Sequence, residues 1–202
     1  MLVVVGGHSR NIGKTSVVCG IISALRDRNW TAIKVTQYGH GVCSRAGEPC
    51  ECRDPVHPVA ISRETGVDPG TDSGRFLAAG AVESYWVRTP AGGLAEAMPR
   101  LRRILEAAEN TIVESNSILR FVKPDLCLMV VDGAVDDFKE TSLRFLDRAS
   151  AVVRTSPAPL AWTTVPESLL AKKPAVFAPG PDYRSPKLIE LVDRAFMADR
   201  AG

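Results

Sequence analysis

The sequence predicts an α/β fold, a three-layer sandwich in which helices cover a mostly parallel central sheet. Strand and helix patterns alternate along most of the chain, and Leu126–Val131 is an almost continuous apolar run, typical of a strand buried on both faces. The first unit points the same way, because an apolar strand over Leu2–Val5 meets two glycines and then a helical pattern over Thr15–Leu25. At 202 residues, the chain is predicted to form a single domain over 1–202.

The other elements follow in chain order. Apolar, β-branched runs predict strands at Trp30–Thr36, Ala81–Arg88, Thr111–Val113, Ala151–Arg154 and Pro174–Ala178. Helical spacing predicts helices over Leu94–Ala108, where Pro99 interrupts the start, and over Lys139–Arg148 and Ser185–Met197. The segment from Gln37 to Pro69 has no clear period and is rich in Gly, Pro, Cys and His, so residues 37–70 are predicted to form an insertion loop.

Composition and charge favour an ordinary globular protein. Hydrophobic residues make up 45% and charged residues 24%, and the formal net charge is +2, so neither a nucleic-acid partner nor a membrane partner is expected. No apolar run approaches the roughly 20 residues that cross a bilayer, and the start of the chain has no basic leader. A cytoplasmic location is therefore expected, in which five cysteines would serve as thiols or metal ligands rather than disulfides.

The strongest motif lies between the first strand and the first helix, where Gly13, Lys14 and Thr15 match the end of a Walker A phosphate loop. Backbone N–H groups and a helix N-terminus would hold the phosphates, the lysine would bind the terminal phosphates, and the threonine hydroxyl would bind Mg²⁺. The alternative is an accidental Gly-Lys-Thr in a strand-turn-helix. The predicted nucleotide-binding residues are Gly7, Asn11, Ile12, Gly13, Lys14, Thr15 and Ser16.

The loop departs from the strict Walker A pattern at its first glycine. The position that the strict pattern gives to its first glycine is occupied here by His8, whereas Gly7 lies one residue earlier. This longer spacing resembles the loop of dethiobiotin synthetase and related members of the signal-recognition, MinD and BioD class of P-loop NTPases. Between the glycines, Ser9 and Arg10 either reach the terminal phosphate or are solvated loop residues.

A second resemblance involves residues 71–81, which are similar to a motif of the molybdopterin-guanine dinucleotide biosynthesis protein B family. The matching residues are Asp72, Ser73, Arg75 and Ala79-Gly80-Ala81, with Thr71 in place of a lysine. Lys34 and Glu114 also fall where that family has a lysine and a Val-Glu-Gly, with Ser115 in place of the glycine. The resemblance implies GTP binding and an accessory role in cofactor biosynthesis, alongside a biosynthetic partner enzyme.

Three acidic residues are candidates for the chemistry beside the phosphate loop. Glu114 ends a strand and is predicted to hold Mg²⁺, directly or through water, or to orient an attacking water, so Lys14 and Glu114 are the predicted catalytic residues. Asp132 also ends a strand and is either a second acidic ligand or a turn cap. Asp72 either contacts Mg²⁺ or, as we expect, caps a helix beginning at Ser73.

A separate cluster of cysteines and histidines lies in the predicted insertion. It consists of His40, Cys43, Cys50, Cys52 and His57. Thiolates and imidazoles at such short separations suit one tetrahedral ion, so zinc is the metal expected, held by the three cysteines and one histidine. An iron–sulfur cluster and a loop of reduced cysteines without metal are the alternatives. Cys19 and Cys127 lie on a predicted helix and strand and are expected to be buried outside this cluster.

Three functions follow from these motifs. The first is Mg²⁺-dependent binding and slow hydrolysis of GTP or ATP by an accessory factor in molybdopterin-type cofactor biosynthesis; no Asn-Lys-x-Asp guanine motif is present to choose the base. The second is an ATP-dependent ligase or kinase acting on a small acid, as the dethiobiotin-synthetase-like spacing implies. The third is a metal chaperone switched by nucleotide. The resembled class often works as dimers, which implies a homodimer.

Overall fold

A computed structural model describes residues 1–38, 59–160 and 162–199. Within them the strands form one eight-stranded sheet, in the order β3-β4-β2-β5-β1-β6-β7-β8. Neighbouring strands run parallel except β3 and β4, which are antiparallel. The strands are β1 Leu2–Gly7, β2 Trp30–Tyr38, β3 Ala60–Arg63, β4 Glu83–Pro90, β5 Asn110–Glu114, β6 Leu126–Val131, β7 Ala151–Arg154 and β8 Ala175–Phe177.

Helices cover both faces of this sheet. They are α1 Lys14–Ala24, α2 Asp72–Ala79, α3 Leu94–Ala107, α4 Glu140–Arg144, α5 Glu167–Ala171 and α6 Pro186–Asp199. Side chains alternate along β1, so Val3 and Val5 pack with α1, α2 and α6 on one face, while Val4 packs with α3 on the other. The predicted α/β sandwich is therefore confirmed. None of the helices within the described residues combines the length and apolar composition that a membrane span requires.

The structure differs from the predicted elements at β3, α3, α4 and α5. β3 lies inside the predicted insertion 37–70, where four residues pair with the edge of β4; so short an edge strand has no recognisable period. α3 continues through Pro99 without interruption, because its buried apolar face holds it against the sheet. The predicted helix over Lys139–Arg148 is split into α4 and a 3₁₀ turn, and the sequence reasoning missed α5.

Candidate functional site

The carboxyl ends of β1, β2 and β5 meet a cavity of about 830 Å³, the position at which open parallel sheets bind ligands. Residues 7–15, the phosphate loop, run from β1 to the first turn of α1 along this cavity. Gly13 precedes the helix with a φ of 88°, a left-handed conformation that favours glycine. A Cβ on Gly7 would lie 2.6 Å from Cδ of Lys14, so the lysine can fold over the loop only if residue 7 is glycine. This contact explains the glycine at position 7.

Lys14 lies inside the cavity and bends back over the loop. Its ammonium donates a hydrogen bond to the Ser9 carbonyl. Burial, helped by the positive charge of Lys34 and opposed by the negative charge of Glu114, lowers the pKa of Lys14 to about 8. A partly buried ammonium with a lowered pKa is stabilised by any anion that enters the cavity.

Glu114 connects the phosphate loop to β2. Its side chain is only 3% exposed; one carboxylate oxygen accepts a hydrogen bond from Thr15 Oγ1 at 2.8 Å, and the other accepts one from Lys34 Nζ at 2.6 Å. The strand register produces this contact, since Lys34 of β2 lies directly beside Glu114 of β5. The threonine hydroxyl and the carboxylate therefore converge at the mouth of the loop.

Lys34 is held between two carboxylates. Its Nζ lies 2.7 Å from Oδ2 of Asp72 as well as 2.6 Å from Glu114. Burial alone would lower the pKa of Lys34, but the two negative charges outweigh it and raise the pKa. Burial likewise tends to raise the pKa of Asp72, yet the charge of Lys34 lowers it overall. Both side chains are therefore ionised near neutral pH.

The expectation that Asp72 caps α2 is wrong. Thr71 is the N-cap, and its hydroxyl accepts a hydrogen bond from the Gly74 N–H at 3.0 Å. Asp72 occupies the first turn and is thereby free to pair with Lys34. From the same helix, Arg75 donates to Ser16 Oγ at 2.9 Å, so α2 contributes a wall of the cavity.

Ser9 and Arg10 occupy different environments in the loop. Ser9 is buried and donates to Oδ2 of Asp137 at 2.7 Å, whereas Arg10 is exposed and lines the cavity. Asp132 takes the turn-capping position, because its Oδ1 accepts hydrogen bonds from the Ala134 N–H and from Ser156. It does not join the acidic group at Glu114.

Sequence reasoning missed two residues that shape the loop. Asn116 forms a reciprocal pair with Gly7, accepting from its N–H at 2.8 Å and donating to its carbonyl at 2.9 Å. His8 is completely buried beneath the loop. Both residues bind the backbone of distant segments, and such contacts leave no pattern in the sequence.

Tyr183 also borders the cavity. Its backbone has a φ of 50°, and its ring packs so closely on Gly13 that a Cβ there would lie 2.3 Å from the ring.

Of the two cysteines expected to be buried, Cys127 is buried and Cys19 is half-buried on α1.

The predicted zinc ligands cannot be placed in this site. His40, Cys43, Cys50, Cys52 and His57 all lie outside the described residues. Within residues 1–38, 59–160 and 162–199, no group of three or more His, Cys, Asp or Glu side chains gathers to hold a metal ion.

The chain is similar to a solved structure at low sequence identity. No protein-family model matches the chain, and no curated protein sequence matches it. Among solved structures, HypB from Helicobacter pylori in complex with nickel superposes with a TM-score of 0.47 at 12% sequence identity, over 98% of this chain and 86% of that one.

Proposed function

We propose that this protein binds a Mg²⁺–nucleoside triphosphate at the phosphate loop and hydrolyses it slowly. One observation carries the proposal: a partly buried lysine and a threonine begin a helix at the cavity, and the threonine hydroxyl bonds a buried carboxylate. Helix N-termini and lysine ammonium groups bind phosphate, while hydroxyl and carboxylate oxygens are the ligands that Mg²⁺ prefers.

The side chains present suit a magnesium ion. Thr15 and Glu114 would hold it, with Asp72 on the other side of Lys34, and all three offer hard oxygen donors. When bound, the ion would neutralise phosphate charge. Lys14 would exchange its bond to the Ser9 carbonyl for the terminal phosphates, and Glu114 would orient an attacking water. Because Thr15 and Lys34 already occupy both carboxylate oxygens of Glu114, slow turnover is expected.

The base and the biological role rest on the family resemblance. That resemblance favours GTP and an accessory role in molybdopterin-type cofactor assembly with a biosynthetic partner enzyme. Since the sequence lacks an Asn-Lys-x-Asp motif, both GTP and ATP belong in the test.

The test is calorimetric titration of the whole chain with GTP and with ATP in Mg²⁺, beside the variants Lys14→Met and Lys187→Met. Lys187 is an exposed lysine on α6, so the second variant is a matched control. We expect Lys14→Met to lose at least about 100-fold in affinity, as charge-assisted contacts to phosphate require. Equal affinity in the two variants, or no binding by the wild-type protein, would sink the proposal.

A specific observation favours a second candidate, an ATP-dependent kinase or ligase acting on a small acid. A cavity of about 250 Å³ adjoins the phosphate cavity and shares Lys34, Thr36 and Asp72 with it, and Trp86 also lines it. A second substrate bound there would be close to the terminal phosphate. Nucleotide turnover that a small carboxylic acid stimulates, with a phosphorylated or ligated product, would support this candidate. Nucleotide turnover that no acid tried changes would count against it.

The metal-chaperone alternative depends on the Cys/His cluster of residues 40–57. Metal content measured with and without bound nucleotide tests it directly. Release of metal that depends on nucleotide would support a chaperone, whereas tightly held metal unaffected by nucleotide would indicate a structural site.

A further inference from the structure

His8 lies in the phosphate loop, yet its ring is bound by another segment. Residues 132–139, here called the β6–α4 loop, wrap around the imidazole. Nε2 lies 3.1 Å from the Asp132 backbone nitrogen, and Nδ1 lies 2.9 Å from the Asp137 carbonyl oxygen. The two ring nitrogens therefore bind opposite ends of one loop.

These two contacts fix the protonation state of the ring. An amide N–H can only donate, so Nε2 must accept and carries no proton. A carbonyl can only accept, so Nδ1 must carry the proton and donate. The ring satisfies both backbone groups only as the neutral Nδ1–H tautomer.

The surroundings exclude water from this contact. The ring is 0% exposed, and its centroid lies 5.2 Å from that of Phe138 and 4.8 Å from that of Trp162. The Trp162 indole N–H donates to the carbonyl of Val135, in the middle of the same loop. Because the nitrogens of a fully buried ring are costly to leave without partners, the His8 ring and the loop hold each other in position.

The β6–α4 loop ends at a cation that faces the phosphate cavity. Lys139 donates its backbone N–H to the His8 carbonyl at 2.9 Å, and its side chain lines the cavity. Within the described residues its ammonium makes no hydrogen bond or ion pair. Burial lowers the pKa of Lys139 and the charge of nearby Arg10 lowers it further, so an anion in the cavity would stabilise this lysine.

We propose that His8 is a positioning residue, whose neutral ring fastens the β6–α4 loop to the phosphate loop and so sets Lys139 against the bound phosphates. This inference rests on the proposed nucleotide binding. It assigns Lys139 as a second phosphate-binding lysine beside Lys14, at a position that no motif identifies. It also accounts for the histidine that stands where the strict Walker A pattern has glycine.

Protonation would release this contact, since an imidazolium carries a proton on Nε2 and cannot accept from Asp132. The charged groups that face the ring are Lys14 of the phosphate loop and Asp132 and Asp137 of the β6–α4 loop. Burial lowers the pKa of His8, and the positive charge of Lys14 lowers it as well. The Asp137 carbonyl and the carboxylates of Asp132 and Asp137 raise the pKa, but the net effect is a lowered pKa.

The experiment is a double-mutant cycle on Mg²⁺–GTP and Mg²⁺–ATP affinity with His8→Phe, Lys139→Met and the double variant. Phenylalanine keeps the ring contacts with Phe138 and Trp162 but removes both hydrogen bonds. We expect each single variant to lose about tenfold in affinity, and the double variant to lose no more than the larger single effect. Additive losses, or an unchanged affinity in His8→Phe, would overturn the proposal.

A second measurement needs no nucleotide. In the wild-type protein, long-range ¹H–¹⁵N spectra should show the Nδ1–H tautomer of His8 at pH 7, and an Nε2–H tautomer or an imidazolium would overturn the proposal. In His8→Phe, amide exchange of residues 133–139 should accelerate at least tenfold while that of α6 stays unchanged. If the wild type binds neither nucleotide, the proposed function fails, but the spectra and exchange rates still decide whether His8 fastens the loop.

Discussion

The phosphate loop lies between two walls that are stabilised by different interactions. On one side lies a charged wall, in which Lys34 of β2 pairs with Glu114 of β5 and Asp72 of α2, and Thr15 of α1 donates a hydrogen bond to Glu114. On the other side, His8 and the β6–α4 loop form a neutral wall of backbone hydrogen bonds and aromatic rings. The first wall holds groups that can exchange their partners for a ligand. In the second wall, the His8 ring and the backbone groups it binds are already satisfied, while Lys139 at the end of the loop presents its ammonium to the cavity.

The two walls therefore have different roles: one holds groups that can bind a ligand, and the other holds the backbone in place. Buried charges are costly unless paired, so the charged wall depends on each member keeping an opposite charge or receiving an ion. A fully satisfied neutral network has no such demand and can hold a backbone in one conformation. We infer that the neutral wall fixes the shape of the phosphate loop, while the charged wall responds to what binds there.

The largest effect should come from removing the buried carboxylate of the charged wall. Glu114→Ala leaves the Lys34 ammonium with Asp72 alone and should lower the free energy of unfolding by about 3–5 kcal/mol. Asp72→Ala is the matched control. Its carboxylate is 37% exposed, so its loss should cost less than about 1 kcal/mol. Urea unfolding of both variants measures the difference, and equal losses would contradict a wall centred on Glu114.

Lys14, which lies beside the charged wall, should make nucleotide affinity depend on pH. Without ligand, Lys14 has a pKa of about 8, and a bound phosphate would raise it. Binding then takes up a proton, so affinity should fall as pH rises above 8, by at most about tenfold per pH unit. Titrations at pH 7, 8 and 9 measure this slope, and the residual binding of Lys14→Met should lack it. A wild-type affinity that is flat over this range would show that the lysine does not meet the phosphates.

Substitutions in the packing of the neutral wall should lower the free energy of unfolding by a smaller amount. Trp162→Phe removes the hydrogen bond to Val135 and shortens a ring packed on His8, so unfolding free energy should fall by about 1–2 kcal/mol. Trp86→Phe is the matched control, because Trp86 also donates one indole hydrogen bond, to Thr36, but is only half-buried. We expect the smaller loss there. Thermal unfolding compares the two, and a larger loss in Trp86→Phe would contradict the importance of the neutral wall.

The two walls also differ in how far the sequence predicts them. Hydrophobic period and motifs that are local in the chain predict the strands other than β3, the first helix, Gly13-Lys14-Thr15 and the position of Glu114. The contact of His8 with Asp132 spans 124 positions and involves a backbone N–H, which every residue except proline has. Asn116 binds Gly7 in the same way, across 109 positions. The sequence therefore predicts much of the charged wall, whereas the neutral wall emerges only from the fold.

The smallest effect should be a decrease in the free energy of unfolding at acidic pH, caused by His8 in the neutral wall. In the folded protein, burial holds the pKa of His8 below its ordinary value of 6.5, so below that pH the unfolded chain binds a proton that the folded chain resists. Unfolding free energy should thus be unaffected by His8 above pH 6.5 and fall as the pH decreases from 6.5 towards 5. The wild type and His8→Phe, unfolded in urea across this range, isolate the contribution, because the variant has no group at position 8 to titrate. Parallel curves would show that protonation of His8 costs nothing, and then the ring would not have to be neutral to hold the β6–α4 loop.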